Sequence, residues 1–564
     1  MELSELKSIL LHLKGTKLYN FRNLEIKGVS YNSKQVKPGD LFVAIPGAKT
    51  DGAYFIPEAL QRGAVAVISN KKLNLFTMVP YIRVADPRAA LAIASNHFFH
   101  YPSGKLKVLG ITGTNGKTTT AYLMKSILEK AGHKTGLIGT IEYLIGERHI
   151  PAPVTTPQSY DLQNYFSQML KEGIKYSAME VSSHSLVQKR VLGIDFHRAI
   201  FTNLTRDHLD FHKTPNQYKQ AKAILFKNLS AESIAILNAD DPVSKFYAKI
   251  TPAQVIWYHL ISPPPIKSQI PPNPSVRRGI RGDLTKGDLM GLGGIKGFRG
   301  IVVQAEILES SLYGNTILLK TPIGETTIQS PLIGRHNVYN ILAAAATAVS
   351  LGVPVDTIKE GIEAVKTIRG RLEIIPIHPH TKDFGVGVNT GYTVMVDFGH
   401  TEDALKNVLL SLKPLVKGKI ITVFGCGGDR DKGKRPLMGK VVSKLSDLFV
   451  ITSDNPRSED PLKIIKDIRK GIRSPHLSHP ALRTRAGSAP ARRGWTRSSP
   501  QRREGRVRGY YVEPDRYEAI KKALTLARQG DLVLIAGKGH ETYQIFKDTV
   551  KPFDDREVVK QLLQ

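Results

Sequence analysis

The segment Gly113-Thr-Asn-Gly116-Lys117-Thr118-Thr119 gathers two glycines, a lysine and three hydroxyls into seven residues. A loop of this kind turns successive backbone N–H groups toward a polyphosphate. Lys117 can then reach the β- and γ-phosphates, and the Thr118 hydroxyl can hold Mg²⁺. The common spacing of such loops would put the first glycine at Ile111, so this one is shorter. Its context is the expected one. Lys107 to Thr112 is an apolar strand candidate, and Ala121, Leu123, Met124, Ile127, Leu128 and Ala131 then recur at helical spacing until Gly132 stops the helix. ATP binding is the chemistry these residues point to.

Other candidates also sit at the ends of expected strands. Glu180 closes the run Tyr176–Val181, and His208 follows the run Ala199–Asn203. A carboxylate and an imidazole beside a phosphate loop suit Mg²⁺ ligation or phosphate contact. Thr214-Pro215 reads as the cap and first residue of a helix carrying Tyr218, Ala221, Lys222 and Leu225. In the last third, the strand candidates Thr393–Asp397, Ile420–Phe424, Leu448–Thr452 and Leu532–Ala536 each run into a polar motif. These are Asp397-Phe-Gly-His400, Gly425 to Asp431, Asp454-Asn455-Pro456-Arg457 and Gly537 to Glu541. Ligands of open parallel sheets bind at the carboxyl ends of strands, so the four motifs are predicted to converge on one crevice.

The elements that must position these residues are short β-rich runs alternating with helical patterns, the signature of α/β domains with mainly parallel sheets. The 564 residues suffice for three or four domains, with no 20–50-residue repeat. A single cysteine excludes a disulfide framework, and no run approaches the roughly 18 apolar residues of a membrane span. The first twenty residues contain Glu2 and Glu5 and no apolar core, unlike a secretory or transit peptide, so a cytoplasmic protein is expected.

The formal charge of +31 leaves anionic small substrates, nucleic acid or local basic tails open. Two stretches account for part of it. Ser262 to Gly300 holds six Pro and eight Gly with seven basic residues against two acidic. Gly471 to Gly509 holds ten Arg, no Lys and one acidic residue. Both read as insertions or poorly structured loops.

The phosphate loop together with Lys37-Pro-Gly-Asp-Leu-Phe-Val-Ala44, Thr155-Thr-Pro157, Glu180-Val-Ser-Ser-His184, Asn203-Leu-Thr-Arg-Asp-His208, Gly334-Arg-His-Asn-Val-Tyr-Asn340 and the carboxyl-terminal motifs resembles the Mur ligases. These are the cytoplasmic amino-acid-adding enzymes of peptidoglycan synthesis, and the likeness is to the branch that adds the third stem residue. Both composition outliers fall outside the match.

The resemblance implies an ATP-dependent, amide-forming ligase with three α/β domains. Residues 1–103 would bind UDP-MurNAc-L-Ala-D-Glu. Residues 104–369, with the 262–300 insertion, would form a P-loop ATPase-like domain around a parallel sheet. Residues 370–564, with the basic 471–509 insertion, would form a Rossmann-like amino-acid domain. ATP would be held by Gly113, Thr114, Asn115, Gly116, Lys117, Thr118, Thr119, Asn337, Asn340, Arg371 and Asp397, and Mg²⁺ by Thr118, Glu180, His208 and Lys222 as its carbamate. Lys117, Lys222 and His208 become the catalytic set. Ser33, Thr155, Thr156, Ser182, Gln188 and Arg190 take the UDP substrate, and Arg430, Asp454, Asn455, Pro456, Arg457, Gly537 and Glu541 the incoming amino acid.

That amino acid is expected to be meso-diaminopimelate, whose distal carboxylate Arg457 could hold bidentately, whereas L-lysine would leave the arginine unpaired. The substrate carboxylate would attack the γ-phosphate and an amine would then displace phosphate. No side-chain nucleophile is required, and Cys426 reads as a packing residue. The chain departs from the family pattern at Asn32, Lys34, Ala53, Arg369 and Glu402, and in Phe398-Gly399. The expected protein is a monomer with small-molecule substrates and no nucleic-acid partner. An L-lysine-adding ligase, a folylpolyglutamate synthase and a non-catalytic Mur-ligase-like, nucleic-acid-associated protein are the alternatives.

Overall fold

Lys107–Thr112 forms the expected strand and lies inside an eleven-stranded sheet, flanked in parallel by Phe196–Phe201 and Tyr176–Glu180. The structure is a computed structural model that describes residues 1–47, 50–72, 79–261, 300–376, 391–472 and 509–564. Seven strands of this sheet run parallel, from Ile301–Ser311 through Gln254–Ile261, Ile234–Asn238, Phe196–Phe201, Lys107–Thr112 and Tyr176–Glu180 to Thr135–Ile138. Antiparallel hairpins extend both edges.

Parallel strands need both faces covered, which explains the near-continuous apolar runs. On one face the helices Lys117–Lys130, Arg335–Ser350 and Val355–Ala364 pack through Leu123, Ile127, Ile341, Ala345 and Ile358. A Cβ at Gly361 would lie 2.4 Å from the Ile127 Cα, so only glycine lets these helices approach this closely. The opposite face is covered by Leu162, Phe166, Phe226 and Tyr247.

The amino-terminal sheet spans Lys17 to Arg83 in five strands and packs on helices Leu3–Leu10 and Pro87–Phe98. The carboxyl-terminal sheet runs in the order Glu373–Ile374, Thr393–Asp397, Leu532–Ala536, Ile420–Phe424, Leu448–Ile451, Gly509–Val512, parallel except at its first strand. Behind it, Arg516 donates to both carboxylate oxygens of Asp555 at 2.7 Å, both side chains being fully buried. The same guanidinium reaches the carbonyls of Ser453 and Ala536, at the ends of two strands.

The Phe196–Phe201 strand begins three residues before the expected Ala199, a start that the polar His197 and Arg198 mask in the sequence. Arg198 instead turns its guanidinium to Ser350, bonding its hydroxyl and carbonyl at 2.9 Å and closing the Arg335–Ser350 helix. That strand also ends early, because Asn203 leaves it to brace the phosphate loop. Apart from end positions 300, 471, 472 and 509, the two basic insertions lie outside the described residues.

Candidate active site

The loop that follows Lys107–Thr112 is held open by contacts only glycine allows. A Cβ at Gly113 (φ +154°) would meet the Thr202 hydroxyl at 1.8 Å, and one at Gly116 (φ +89°) would meet Asn340 Oδ1 at 2.2 Å. Asn203 fixes the loop from just past the end of the neighbouring strand, accepting from the Asn115 N–H at 3.0 Å and donating to the Asn115 carbonyl at 3.1 Å. Lys117 opens the helix and curls its ammonium back to the carbonyls of Gly113 and Thr114, both at 3.0 Å. Burial lowers its pKa, opposed by the charges of Glu180 and Asp207.

Lys222 lies on the Pro215–Lys227 helix, which Thr214 caps by accepting from the Gln217 N–H. Its side chain is 1% exposed, and its ammonium sits 4.6 Å from the Tyr218 ring and donates to the same Gly113 carbonyl at 2.9 Å. Burial and then the Lys117 charge push its pKa well below the ordinary lysine value. Glu180 is also buried. Its carboxylate accepts from the Thr118 hydroxyl at 2.9 Å, the Thr140 N–H at 2.8 Å and the Thr140 hydroxyl at 2.9 Å. Arg371 donates to Thr118 Oγ1 at 3.1 Å and stacks 4.5 Å from the Phe398 ring centre. His208 takes a left-handed backbone (φ +55°) and stands 3.3 Å from Asp207 and edge-on to His184. Burial holds its imidazole neutral, well below its ordinary value.

The four carboxyl-terminal motifs do meet, across one cavity of about 750 Å³ that the phosphate loop closes from the other side. Asp397 receives the N–H groups of Leu372 at 2.9 Å and Gly399 at 2.7 Å. Arg457 (φ +52°) donates to the Gly428 carbonyl at 2.8 Å, and burial followed by the like charge of Arg430 lowers its pKa. Asn455 donates to Glu541 at 2.8 Å. Besides Arg371 on Thr118, contacts that cross between the central and carboxyl-terminal segments include Asn115 donating to Asp403 at 2.9 Å and Arg206 pairing with Asp431 at 3.2 Å.

Of the residues expected to bind ligands, the cavity brings together the whole phosphate loop, Thr155, Thr156, Glu180, Ser182, Arg190, His208, Lys222, Asn337, Asn340, Arg371, Asp397, Arg430, Asp454, Asn455, Arg457, Gly537 and Glu541. Ser33, Gln188 and Pro456 are not in its wall. Ser33 donates to Glu58 at 2.7 Å, Gln188 accepts from Arg190 at 2.7 Å, and Pro456 packs its carbonyl against Gly428.

Three of the departures from the family pattern have a visible local setting. Asn32 caps the Ser33–Gln35 turn by accepting from the Lys34 N–H. Glu402 opens the helix that Thr401 caps, and Arg369 reaches Asp554 at 3.6 Å. Cys426 packs against Met438, its thiol pushed up to about 12 by burial.

Three residues of the site were not legible as such in the sequence. Thr140 braces Glu180. Lys434 is 6% exposed in the cavity wall and has no hydrogen-bond or ion-pair partner among the described residues. Lys538 is buried beneath Glu541. Both lysines lie inside quoted motifs or next to them, and their burial beside a strand end is the signal that sets them apart.

Comparison with known proteins follows the same layout. The profile described as Mur ligase middle domain matches residues 111–262 and 294–348, breaking across the first insertion. The Mur ligase glutamate ligase domain matches 384–539, and the Mur ligase family catalytic domain matches 25–99. The chain is 41% identical over 542 residues to a protein of Solibacter usitatus named UDP-N-acetylmuramoyl-L-alanyl-D-glutamate--2,6-diaminopimelate ligase, covering 96% of this chain and 94% of that one. It is 39% identical to the protein of the same name from Caldanaerobacter subterraneus subsp. tengcongensis, covering 98% of each. A solved structure of a ligase of that name superposes with TM-score 0.57 at 29% identity, over 95% of this chain and 94% of the other. MurF from Acinetobacter baumannii superposes with TM-score 0.62 at 17% identity, over 99% and 98%, a likeness of fold.

Proposed function

The chain belongs to the Mur ligase family, and from that premise we propose that it joins meso-diaminopimelate to UDP-MurNAc-L-Ala-D-Glu at the expense of ATP. The observation that carries this reading is the single cavity on which the phosphate loop, Glu180 and all four carboxyl-terminal motifs open. ATP, an activated carboxylate and an amine must meet at one point for an amide to form, and that cavity is where these groups meet. We assign residues 1–103, 104–369 and 370–564 to the UDP-substrate, ATP and amino-acid parts.

In the first step a carboxylate oxygen of the D-glutamyl group attacks the γ-phosphorus of ATP. The bond to ADP breaks and an acyl phosphate forms. The loop N–H groups and Lys117 hold the phosphates, and Asn337, Asn340, Arg371 and Asp397 orient the nucleotide. Thr155, Thr156, Ser182, Gln188, Arg190 and Ser33 are assigned to the UDP substrate. Arg190 is already tied to the Thr156 carbonyl at 2.8 Å.

In the second step the amine attacks the acyl carbon, inorganic phosphate leaves and the amine gives up a proton. Arg457 and Arg430 form a dicationic corner facing Asp454 and Glu541, a layout that matches a distal carboxylate and ammonium on one amino acid. The other residues of that pocket are Asn455, Pro456 and Gly537.

Mg²⁺ fits the donor set. Thr118, Glu180 and His208 offer a hydroxyl, a carboxylate and an imidazole, and a carbamate on Lys222 adds a second anionic oxygen donor. The neutral amine favoured by the burial of Lys222 is the form that combines with CO₂. Bound there, the ion would neutralise the oxygens of the transferring phosphoryl group.

The test is phosphate release from ATP with UDP-MurNAc-L-Ala-D-Glu, comparing meso-diaminopimelate, L-lysine and no amino acid. The reading expects release coupled to amide formation with meso-diaminopimelate. Equal efficiency with L-lysine would remove the substrate assignment, and release indifferent to both would remove the ligase reading.

A further inference from the structure

The amino-acid corner contains a fully buried lysine to which the mechanism gives no task. Lys538 is 0% exposed and lies between Gly537 (φ +116°) and Gly539 (φ +55°), directly after the Leu532–Ala536 strand. The backbone there is clamped. A Cβ at Gly537 would meet Asp454 Oδ2 at 2.7 Å, and one at Gly539 would meet the Phe398 Cβ at 2.7 Å and the Gly370 carbonyl at 2.8 Å. The ammonium has three donors. They go to Glu541 Oε2 at 3.2 Å, Asn455 Oδ1 at 3.4 Å and the Tyr543 carbonyl. No N–H remains for a substrate.

What those donors do is orient two residues assigned to the incoming amino acid. Asn455 Oδ1 accepts from Lys538 and from the Ile545 N–H at 3.0 Å, while its Nδ2 donates to Glu541 Oε2 at 2.8 Å. The reversed amide would set an NH₂ group against an ammonium and a backbone N–H, so the orientation is fixed. Glu541 Oε2 is thereby used twice, and Oε1 has no partner among the described residues.

We propose that Lys538 is a positioning residue that locks Asn455 and Glu541 so that a single carboxylate oxygen, Glu541 Oε1, receives the ammonium of the incoming amino acid. This rests on the assignment of Glu541 to the amino-acid pocket. Asn455, whose acceptor is saturated, then serves as a brace and is not itself the ammonium's acceptor. Removing the Lys538 charge frees the Glu541 carboxylate to swing and leaves it beside Asp454 without its cation.

The experiment is steady-state kinetics of the full chain and of Lys538→Met, Lys538→Gln, Glu541→Gln and the Lys538→Met/Glu541→Gln double variant, varying each of the three substrates in turn. The Met variant should raise KM for meso-diaminopimelate about tenfold or more while KM for ATP and for the UDP substrate stays within about twofold. The Gln variant, which keeps a donor, should fall between Met and wild type. The double variant should be no worse than the weaker single, because both act through one carboxylate.

Multiplying effects in the double variant would overturn the proposal, as would a parallel rise in all three KM values or an unchanged amino-acid KM. If the Met variant does not fold, the Gln variant carries the same comparison. A wild-type enzyme that ligates while Glu541→Gln leaves the amino-acid KM unaltered would overturn the pocket assignment beneath the proposal. A wild-type chain that forms no amide would instead overturn the ligase reading.

Discussion

The two clusters that face each other across the cavity differ in how their charged groups are held. At the phosphate loop, Lys117 and Lys222 both rest on the Gly113 carbonyl, and among the described residues neither makes an ion pair with a carboxylate. At the ends of the last sheet's strands, Asp454 and Glu541 share the wall with Arg430 and Arg457, and no ion pair joins Arg457 to either acid. A loop of N–H groups with Lys117 unpaired, and the Glu180 carboxylate set beside Thr118 for a counter-cation, calls for a polyanion such as a triphosphate. A cluster of two separated signs calls for a zwitterion. The difference divides the reaction between activation of a carboxylate on one side and delivery of an amine on the other.

The largest effects should come from breaking the phosphate loop. Gly113→Ala puts a methyl 1.8 Å from Thr202 Oγ1, and Lys117→Met removes the phosphate cation. Each should cut kcat by about 10²–10³-fold or more, measured as ADP release. Next comes the two-sign cluster. Arg457→Ala should lower kcat/KM for meso-diaminopimelate by about 10²-fold and collapse its advantage over L-lysine, read from paired amide-formation rates.

The platform under that cluster can be attacked separately. Arg516→Met strands the buried Asp555 carboxylate and should cost about 3–5 kcal/mol in a urea titration, with Arg516→Met/Asp555→Leu recovering most of it. The smallest effect concerns His197, outside both clusters, which burial followed by Arg198 and Lys107 lowers to about 4. The unfolded chain takes up that proton first, so stability is lost as pH falls from about 6.5 toward 4. His197→Gln should flatten this part of the melting profile by about 2 °C.

Much of this division was legible in the sequence because its carriers are local. The Lys107–Thr112 strand, the glycine loop and the helix after it are read from apolar period and turn chemistry, and strand ends followed by polar motifs announce a crevice. What was not legible depends on residues far apart in the chain. Thr140 reaches Glu180 across forty positions, and Lys538 reaches back to Asn455 across eighty-three. Ser33 is held by Glu58, a partner no spacing rule supplies. The early start of the Phe196–Phe201 strand was hidden because Arg198 serves a helix end and interrupts the β pattern.

The division of labour is tested most directly by trapping the acyl phosphate with hydroxylamine in the presence of ATP and UDP-MurNAc-L-Ala-D-Glu, comparing wild type with Arg457→Ala. The account predicts that the variant forms hydroxamate and ADP at close to the wild-type rate while its amide formation with meso-diaminopimelate collapses. Loss of hydroxamate in step with loss of amide would contradict it, because the two clusters would then act as one.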